Sequence, residues 1–167
     1  MQGISHWKGR GMIEIEIPGY KTLQLKHLVL DHNGTLACDG ILIEGVKECL
    51  EKLADDLQIH VLTADTFGKA ASQLEGVPCG LSILPTDNQD VGKLDYIKGL
   101  GCENTVCIGN GRNDRLMLKE SALGIAVVLK EGVALATLVS ADVVCTSIVS
   151  ALELLMHPLR LTATLRS

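Results

Sequence analysis

The run LVLDHNGTLA, residues 28–37, ends three apolar residues in an aspartate, Asp31, and sets an amide, Asn33, two positions later. Other apolar runs are followed by polar groups in the same way. Thr63, Ala64 and Asp65 come after IHVL, and Asn110, Gly111, Asn113 and Asp114 come after TVCIG. Lys93 stands in the segment that follows LSILP. Brought to one rim, a carboxylate, a hydroxyl, an ammonium and a second acidic loop would offer both charges and both hydrogen-bonding polarities to a ligand. Singly, each residue reads equally well as punctuation. Asp31 and Asn33 could start a turn, Thr63 could satisfy backbone groups, and Asn113-Asp114 could cap a helix. Scattered polarity, however, seldom falls on one strand end after another.

The elements that would carry these residues follow from periodicity. Ile13, Ile15 and Ile17 alternate with glutamates, the chain turns at Pro18-Gly19, and an extended segment resumes. This predicts a hairpin feeding a fully apolar strand at 28–30. Val46, Leu50, Leu53 and Leu57 recur at helical spacing before a strand at 59–63. A helix over 66–75 precedes a strand at 81–85, and a helix over about 88–100 precedes a strand at 105–110. The segment NDRLMLKESA leads to the run LGIAVVL, and a short helix near 132–139 leads to ADVVC. A last helix carries Ile148, Val149, Leu152, Leu155 and Met156 as one stripe, with Pro158 ending it. Apolar strands separated by amphipathic helices imply a parallel sheet covered on both faces. The prediction is one doubly wound, Rossmann-like α/β domain over 12–167 with an N-terminal β-hairpin, preceded by a flexible leader at 1–11. In such a sheet ligands bind beyond the carboxyl ends of the strands, where the residues above lie. The segment CDGILIEG, 38–45, reads as a short hairpin flap beside Asp31.

The set LVLDHNGT, VLTADT, Lys93 and CIGNGRNDRLML, in this order, resembles the four motifs of the haloacid-dehalogenase-like (HAD) superfamily. It is most similar to soluble proteins that resemble the phosphorylation domain of P-type ATPases. The resemblance spans about 24–156. It implies a capless HAD-like fold, since the intervals 36–63 and 63–93 are spent on the flap and helices. It also implies a Mg²⁺-dependent phosphohydrolase or phosphotransferase. In that reading Asp31 is the nucleophile that forms an aspartyl phosphate, which needs no prior deprotonation. Thr63, Ala64, Lys93 and Asn113 would bind the phosphoryl group, with Lys93 neutralising charge. Asp31, the backbone carbonyl of Asn33, Asn110 and Asp114 would hold Mg²⁺, and Gly34 would allow the turn that Thr35 braces.

Two positions depart from the family pattern. Most HAD phosphatases have aspartate two residues after the nucleophile, as general acid and base; Asn33 cannot exchange a proton. Such help is worth about 10²–10⁴ in rate, so turnover is expected to be slow. Asn110 replaces a second aspartate that commonly binds the metal, which removes a negative charge. The competing reading is therefore a phosphate- and metal-binding or regulatory oligomeric protein without turnover. His32 could replace the missing acid, but strand alternation points it away from the site. His27, His60 and His157 read as ordinary surface or core residues, and Asp65 as a cap for the helix that follows. GNGRND lacks the GK[ST] ending of a P-loop.

Composition bounds the partners. The 167 residues carry a net charge of -5, which argues against a nucleic-acid surface but not against a small phosphorylated ligand. Six cysteines, at 38, 49, 79, 102, 107 and 145, form no CxxC pair, so neither a zinc site nor a disulfide framework is signalled. Free thiols in apolar runs suggest a reducing cytoplasm, and no run is long enough to span a bilayer. An open, capless site suits a small phosphorylated compound or a phosphoprotein, with a homo-oligomer partner covering it.

Overall fold

Leu28, Val29 and Leu30 expose no surface at all, so the strand that carries them is covered on both faces. That strand, β3 (His27–Asp31), is the middle of the fold in this computed structural model, which describes residues 11–65 and 68–167. The expected leader at 1–11 lies almost wholly outside the described residues. The pleat sends alternate side chains to opposite sides. Leu28 and Leu30 join one apolar cluster with Ile59, Val61, Val106 and Ile108. Val29 joins the other with Leu62, Cys107 and Ala126.

Ahead of β3, β1 (Ile13–Ile17) and β2 (Lys21–Leu25) form the expected hairpin, as a separate two-stranded antiparallel sheet. Its Ile15, Ile17, Leu23 and Leu25 face the core, while Glu14, Glu16, Thr22 and Gln24 face solvent. After β3, β4 (Ala37–Cys38) and β5 (Ile41–Leu42) make the flap. Asp39 and Gly40 both have positive φ, 52° and 77°, the signature of a tight two-residue hairpin turn.

The main sheet adds β6 (Gln58–Thr63), β7 (Gly80–Ile83), β8 (Thr105–Gly109), β9 (Leu123–Val127) and β10 (Val143–Cys145). All six strands are parallel, in the order β10-β9-β8-β3-β6-β7. The chain leaves β3 on one side to build β6 and β7, then crosses back to build β8, β9 and β10 on the other. The reversal falls between β3 and β8, and their carboxyl ends flank the crevice where such sheets bind ligands. Helices cover both faces. On one, α1 (Val46–Leu53) packs on α6 (Ile148–Met156). On the other, α3 (Gln89–Leu100) packs on α4 (Arg115–Glu120).

Three expectations need correction. The helix expected over 66–75 is only α2 (Ala70–Gln73) among the described residues, and Thr66 and Phe67 lie outside them. The helix expected near 132–139 is only α5 (Leu135–Leu138). Pro158 ends α6 but also begins α7 (Pro158–Leu165), at 101° to it. Proline lacks the N–H that would continue α6, yet its fixed φ suits the first turn of a new helix. Leu161 of α7 is fully buried, and Thr162 Oγ1 donates to Glu16 O of the hairpin at 3.4 Å. Among the described residues no single helix is long and apolar enough to cross a membrane.

Candidate active site

Asp31 is the last residue of β3, and the chain folds back at once. Leu36 N and Ala37 N both donate to His32 O, at 2.9 and 3.0 Å, and Gly34 N donates to Ala37 O at 2.7 Å. This loop requires glycine at 34, where φ is 79°. A Cβ there would lie 2.7 Å from Glu131 Oε2 and nearer still to Asn110 Nδ2. The turn carries Thr35 back under Asp31. Thr35 Oγ1 lies 3.3 Å from Asp31 Oδ2 and 3.2 Å from Asn110 Oδ1, sharing its proton between them.

Behind Asp31 lies a buried charge triad. Lys93 Nζ donates to Asp31 Oδ1 at 2.7 Å and to Asp114 Oδ1 at 2.6 Å. Burial alone would lower the Lys93 pKa, but the charges of Asp31 and Asp114 more than offset it and raise it. Asp114 Oδ2 accepts from the backbone N–H of Asn110 at 3.0 Å and of Gly111 at 2.9 Å. Burial and then the Asp31 charge push Asp114 up to about 6, against the pull of Lys93 and the Gly111 N–H. The Lys93 ammonium and the two backbone N–H groups favour its carboxylate form. Gly109 is needed for this approach, because a Cβ there would stand 2.5 Å from Asp114 Cγ.

A cleft of about 190 Å³ opens in front of Asp31. It is lined by the carboxylates of Asp31 and Glu131, the amides of Asn33, Gln89, Asn110 and Asn113, and by Thr63, Ala64 and Gly111. Asp31, Asn33, Thr63, Ala64, Asn110 and Asn113 therefore meet at one rim, as the sequence led us to expect. Lys93 and Asp114 do not line it. Asp114, expected as a metal ligand, has no exposed surface, and both its oxygens are already bonded. It positions Lys93 and the 110–111 backbone instead. Lys93 reaches Asp31 from the buried side rather than from the cleft.

The remaining side chains are held locally. Thr63 Oγ1 accepts from Asp65 N at 2.9 Å. Asp65 Oδ1 accepts from Ala70 N, also at 2.9 Å, so it caps the start of α2 as expected. Asn113 Nδ2 donates to Gln89 Oε1 at 2.6 Å, tying the 110–114 loop to α3. His32 is buried and does not line the cleft; its Nδ1 lies 3.2 Å from Asn33 Oδ1. Burial lowers its pKa, while Asn33 and Asp65 pull the other way. Its ring, buried and outside the cleft lining, holds the Asn33 amide through the Nδ1 contact.

Sequence reasoning missed Gln89 and Glu131. Glu131 lies in the loop after β9, so the rule that selected Asp31 and Asn110, inspection of strand carboxyl ends, would have found it had it been carried one strand further.

Among the described residues no group of three or more His, Cys, Asp or Glu side chains is placed to hold a metal ion. The residues lining the cleft carry carboxylate, amide and hydroxyl oxygens, the hard donors that suit a cation of the magnesium class. That set fits such an ion.

No family model matches the chain. Uncharacterized protein MJ0073 of Methanocaldococcus jannaschii is 41% identical to it over 83 residues, which are 47% of this chain and 89% of that protein. Among solved structures, the chain is similar to the 3-deoxy-D-manno-octulosonate 8-phosphate phosphatase of Moraxella catarrhalis, in complex with magnesium, phosphate and KDO. The TM-score is 0.62 at 18% identity, covering 80% of this chain and 86% of that one. It is also similar to a zinc-transporting PIB-type ATPase in the E2.Pi state, with TM-score 0.55 and 22% identity, covering 74% of this chain and 20% of that one. The shared architecture is the HAD-like parallel sheet covered by helices on both faces, and among the described residues of this chain no cap domain is inserted. The chain belongs to the family of Methanocaldococcus jannaschii MJ0073 and has a capless HAD-like fold.

Proposed function

We infer that the chain is a divalent-cation-dependent phosphohydrolase or phosphotransferase with Asp31 as its nucleophile. The observation that carries this reading is the setting of the Asp31 carboxylate. It faces the cleft with one oxygen anchored by Lys93 and the other by Thr35, so its orientation is fixed before any substrate arrives. In the first step an Asp31 oxygen attacks phosphorus and the bond to the leaving oxygen breaks, giving an aspartyl phosphate. In the second, water attacks phosphorus, the bond to Asp31 breaks, and phosphate leaves. Bound magnesium would supply charge neutralisation on the phosphoryl oxygens. Asp31, the Asn33 backbone carbonyl and Asn110 would hold it.

The other residues orient and neutralise. Thr63 and Asn113 offer a hydroxyl and an amide to phosphoryl oxygens, and Lys93 balances the charge of the Asp31–Asp114 pair. Asn33 presents an amide where a proton donor is needed, so the leaving group must take its proton from water. Turnover is slow for that reason. A cleft of about 190 Å³ accommodates a phosphoryl group rather than a whole large ligand, so the rest of the substrate lies outside it. This suits a small phosphorylated compound or a phosphoprotein, with a second copy of the chain as cover. Magnesium and phosphate in the Moraxella phosphatase support the reading by analogy of fold.

The amides at 33 and 110 favour a second reading, a phosphate- and metal-binding protein without turnover. Hydrolysis of p-nitrophenyl phosphate with Mg²⁺, by wild type and Asp31→Asn, separates the two. Activity lost on substitution supports the enzyme; equal background in both variants refutes it. Beryllofluoride with Mg²⁺ then reports whether Asp31 accepts a phosphoryl mimic.

A further inference from the structure

Asn110 does more than lack a charge. Its Nδ2 donates to Gly132 O at 3.0 Å, and its backbone carbonyl accepts from Ala134 N at 2.9 Å. These two bonds fasten the loop after β9 across the cleft. An aspartate at 110 could not donate to Gly132 O, and two acceptors would face one another. The fastened loop carries Glu131, whose Oε2 reaches over Gly34 beside the Asn110 amide. Among the described residues Glu131 has no hydrogen-bond or ion-pair partner, although it lines the cleft opposite Asp31. No side chain at 34 could be accommodated without moving it.

We propose that the cation-binding carboxylate has been exchanged between loops: Asn110 gives up the charge to seat the 129–134 loop, and Glu131 returns it to the cleft. This rests on the reading of the cleft as a cation-dependent phosphoryl-transfer site. Glu131 is a ligand to the bound divalent cation, directly or through one of the waters that magnesium retains. The local charge is thereby that of a site with two acidic ligands, Asp31 and Glu131, despite two amides in the motifs. Other acids do not fill this role. Asp114 is sealed behind Lys93, and Asp65 is spent on capping α2.

The test is cation affinity measured without turnover, by Mn²⁺ electron paramagnetic resonance and Mg²⁺ competition on the full chain. Glu131→Gln should weaken binding about 10–100-fold, with an unchanged thermal melt in the absence of metal. Adding Asn110→Asp to Glu131→Gln should recover affinity by at least several-fold. Wild-type affinity in Glu131→Gln, with loss in Asp31→Asn, overturns the exchange and leaves the phosphoryl-transfer reading standing. A double variant no tighter than Glu131→Gln also overturns it. A wild type that binds no divalent cation overturns both.

Discussion

Lys93 Nζ and Asp114 Oδ1 lie 2.6 Å apart with 1% and 0% of their side chains exposed, directly behind Asp31. A pair this deep gains little over an apolar replacement of both partners, but removing one partner strands a charge. Lys93→Met should therefore cost about 3–5 kcal/mol at pH 7. Its pH dependence has a definite sign. Asp114 has a folded pKa raised above its unfolded value by burial and by Asp31, and losing Lys93 raises it further. The folded state then holds that proton more tightly, so the variant's stability falls as pH rises through this range. Urea denaturation at pH 5 and pH 7.5 should find a smaller deficit at pH 5. An equal deficit at both would mean that the lost packing of the lysine stem, not the stranded charge, is responsible.

Asn33 lines the cleft, and its Oδ1 faces His32 Nδ1. Asn33→Asp puts a proton-exchanging group at the same place. Steady-state hydrolysis of p-nitrophenyl phosphate should rise, up to about 10²–10⁴-fold. The same variant should shorten the lifetime of any phosphorylated Asp31 in a single-turnover assay. An unchanged rate would locate the slow step elsewhere, in substrate binding or phosphate release.

What the sequence made legible, and what it did not, follows from the range of each interaction. β3, β6 and β8 were readable because burial on both faces demands unbroken apolar runs, and Asp31, Thr63 and Asn110 were readable because they end those runs. The fate of Asp114 was not. The family resemblance implied a ligand, but whether its oxygens face the cleft depends on Lys93, 21 residues away in sequence, and on a backbone approach allowed only by Gly109. Glu131 stands at a strand end like the others, but its reach into the cleft depends on Asn110 tying that loop across the site. Pro158 carries both a stop and a start signal, and the packing of Leu161 and the hairpin decides in favour of a second helix.

Gly34 sits at φ 79° with Asn110 and Glu131 packed against its Cα. Gly34→Ala should lose at least about 1–2 kcal/mol from the left-handed backbone alone. It should also push Asn110 and Glu131 off their positions, so divalent-cation affinity should fall. Thermal denaturation together with Mn²⁺ titration checks both. Wild-type values in both would mean the loop relaxes freely and that Gly34 does not set the geometry of the cleft.

Away from the cleft, His60 on β6 lies between His27 and Tyr96, with Nε2 3.2 Å from His27 Nδ1 and Nδ1 2.9 Å from the Tyr96 hydroxyl. Burial, helped by His27, lowers its pKa to about 4. Both the folded and unfolded chains hold this ring neutral above pH 6.5, so its contribution to stability is complete there. Between about 6.5 and 4 the unfolded chain takes up the proton and the folded chain resists, so stability falls with falling pH. The loss is at most roughly 3 kcal/mol at 1.36 kcal/mol per unit, and less because water reaches part of the ring. His60→Asn removes the titration while keeping a hydrogen-bonding group. Its stability, measured by urea denaturation, should decline less steeply than wild type from pH 6.5 to 4.5. Parallel curves would mean that His60 is protonated as readily in the folded chain as in the unfolded one, and that the His27–His60–Tyr96 chain carries no buried neutral imidazole.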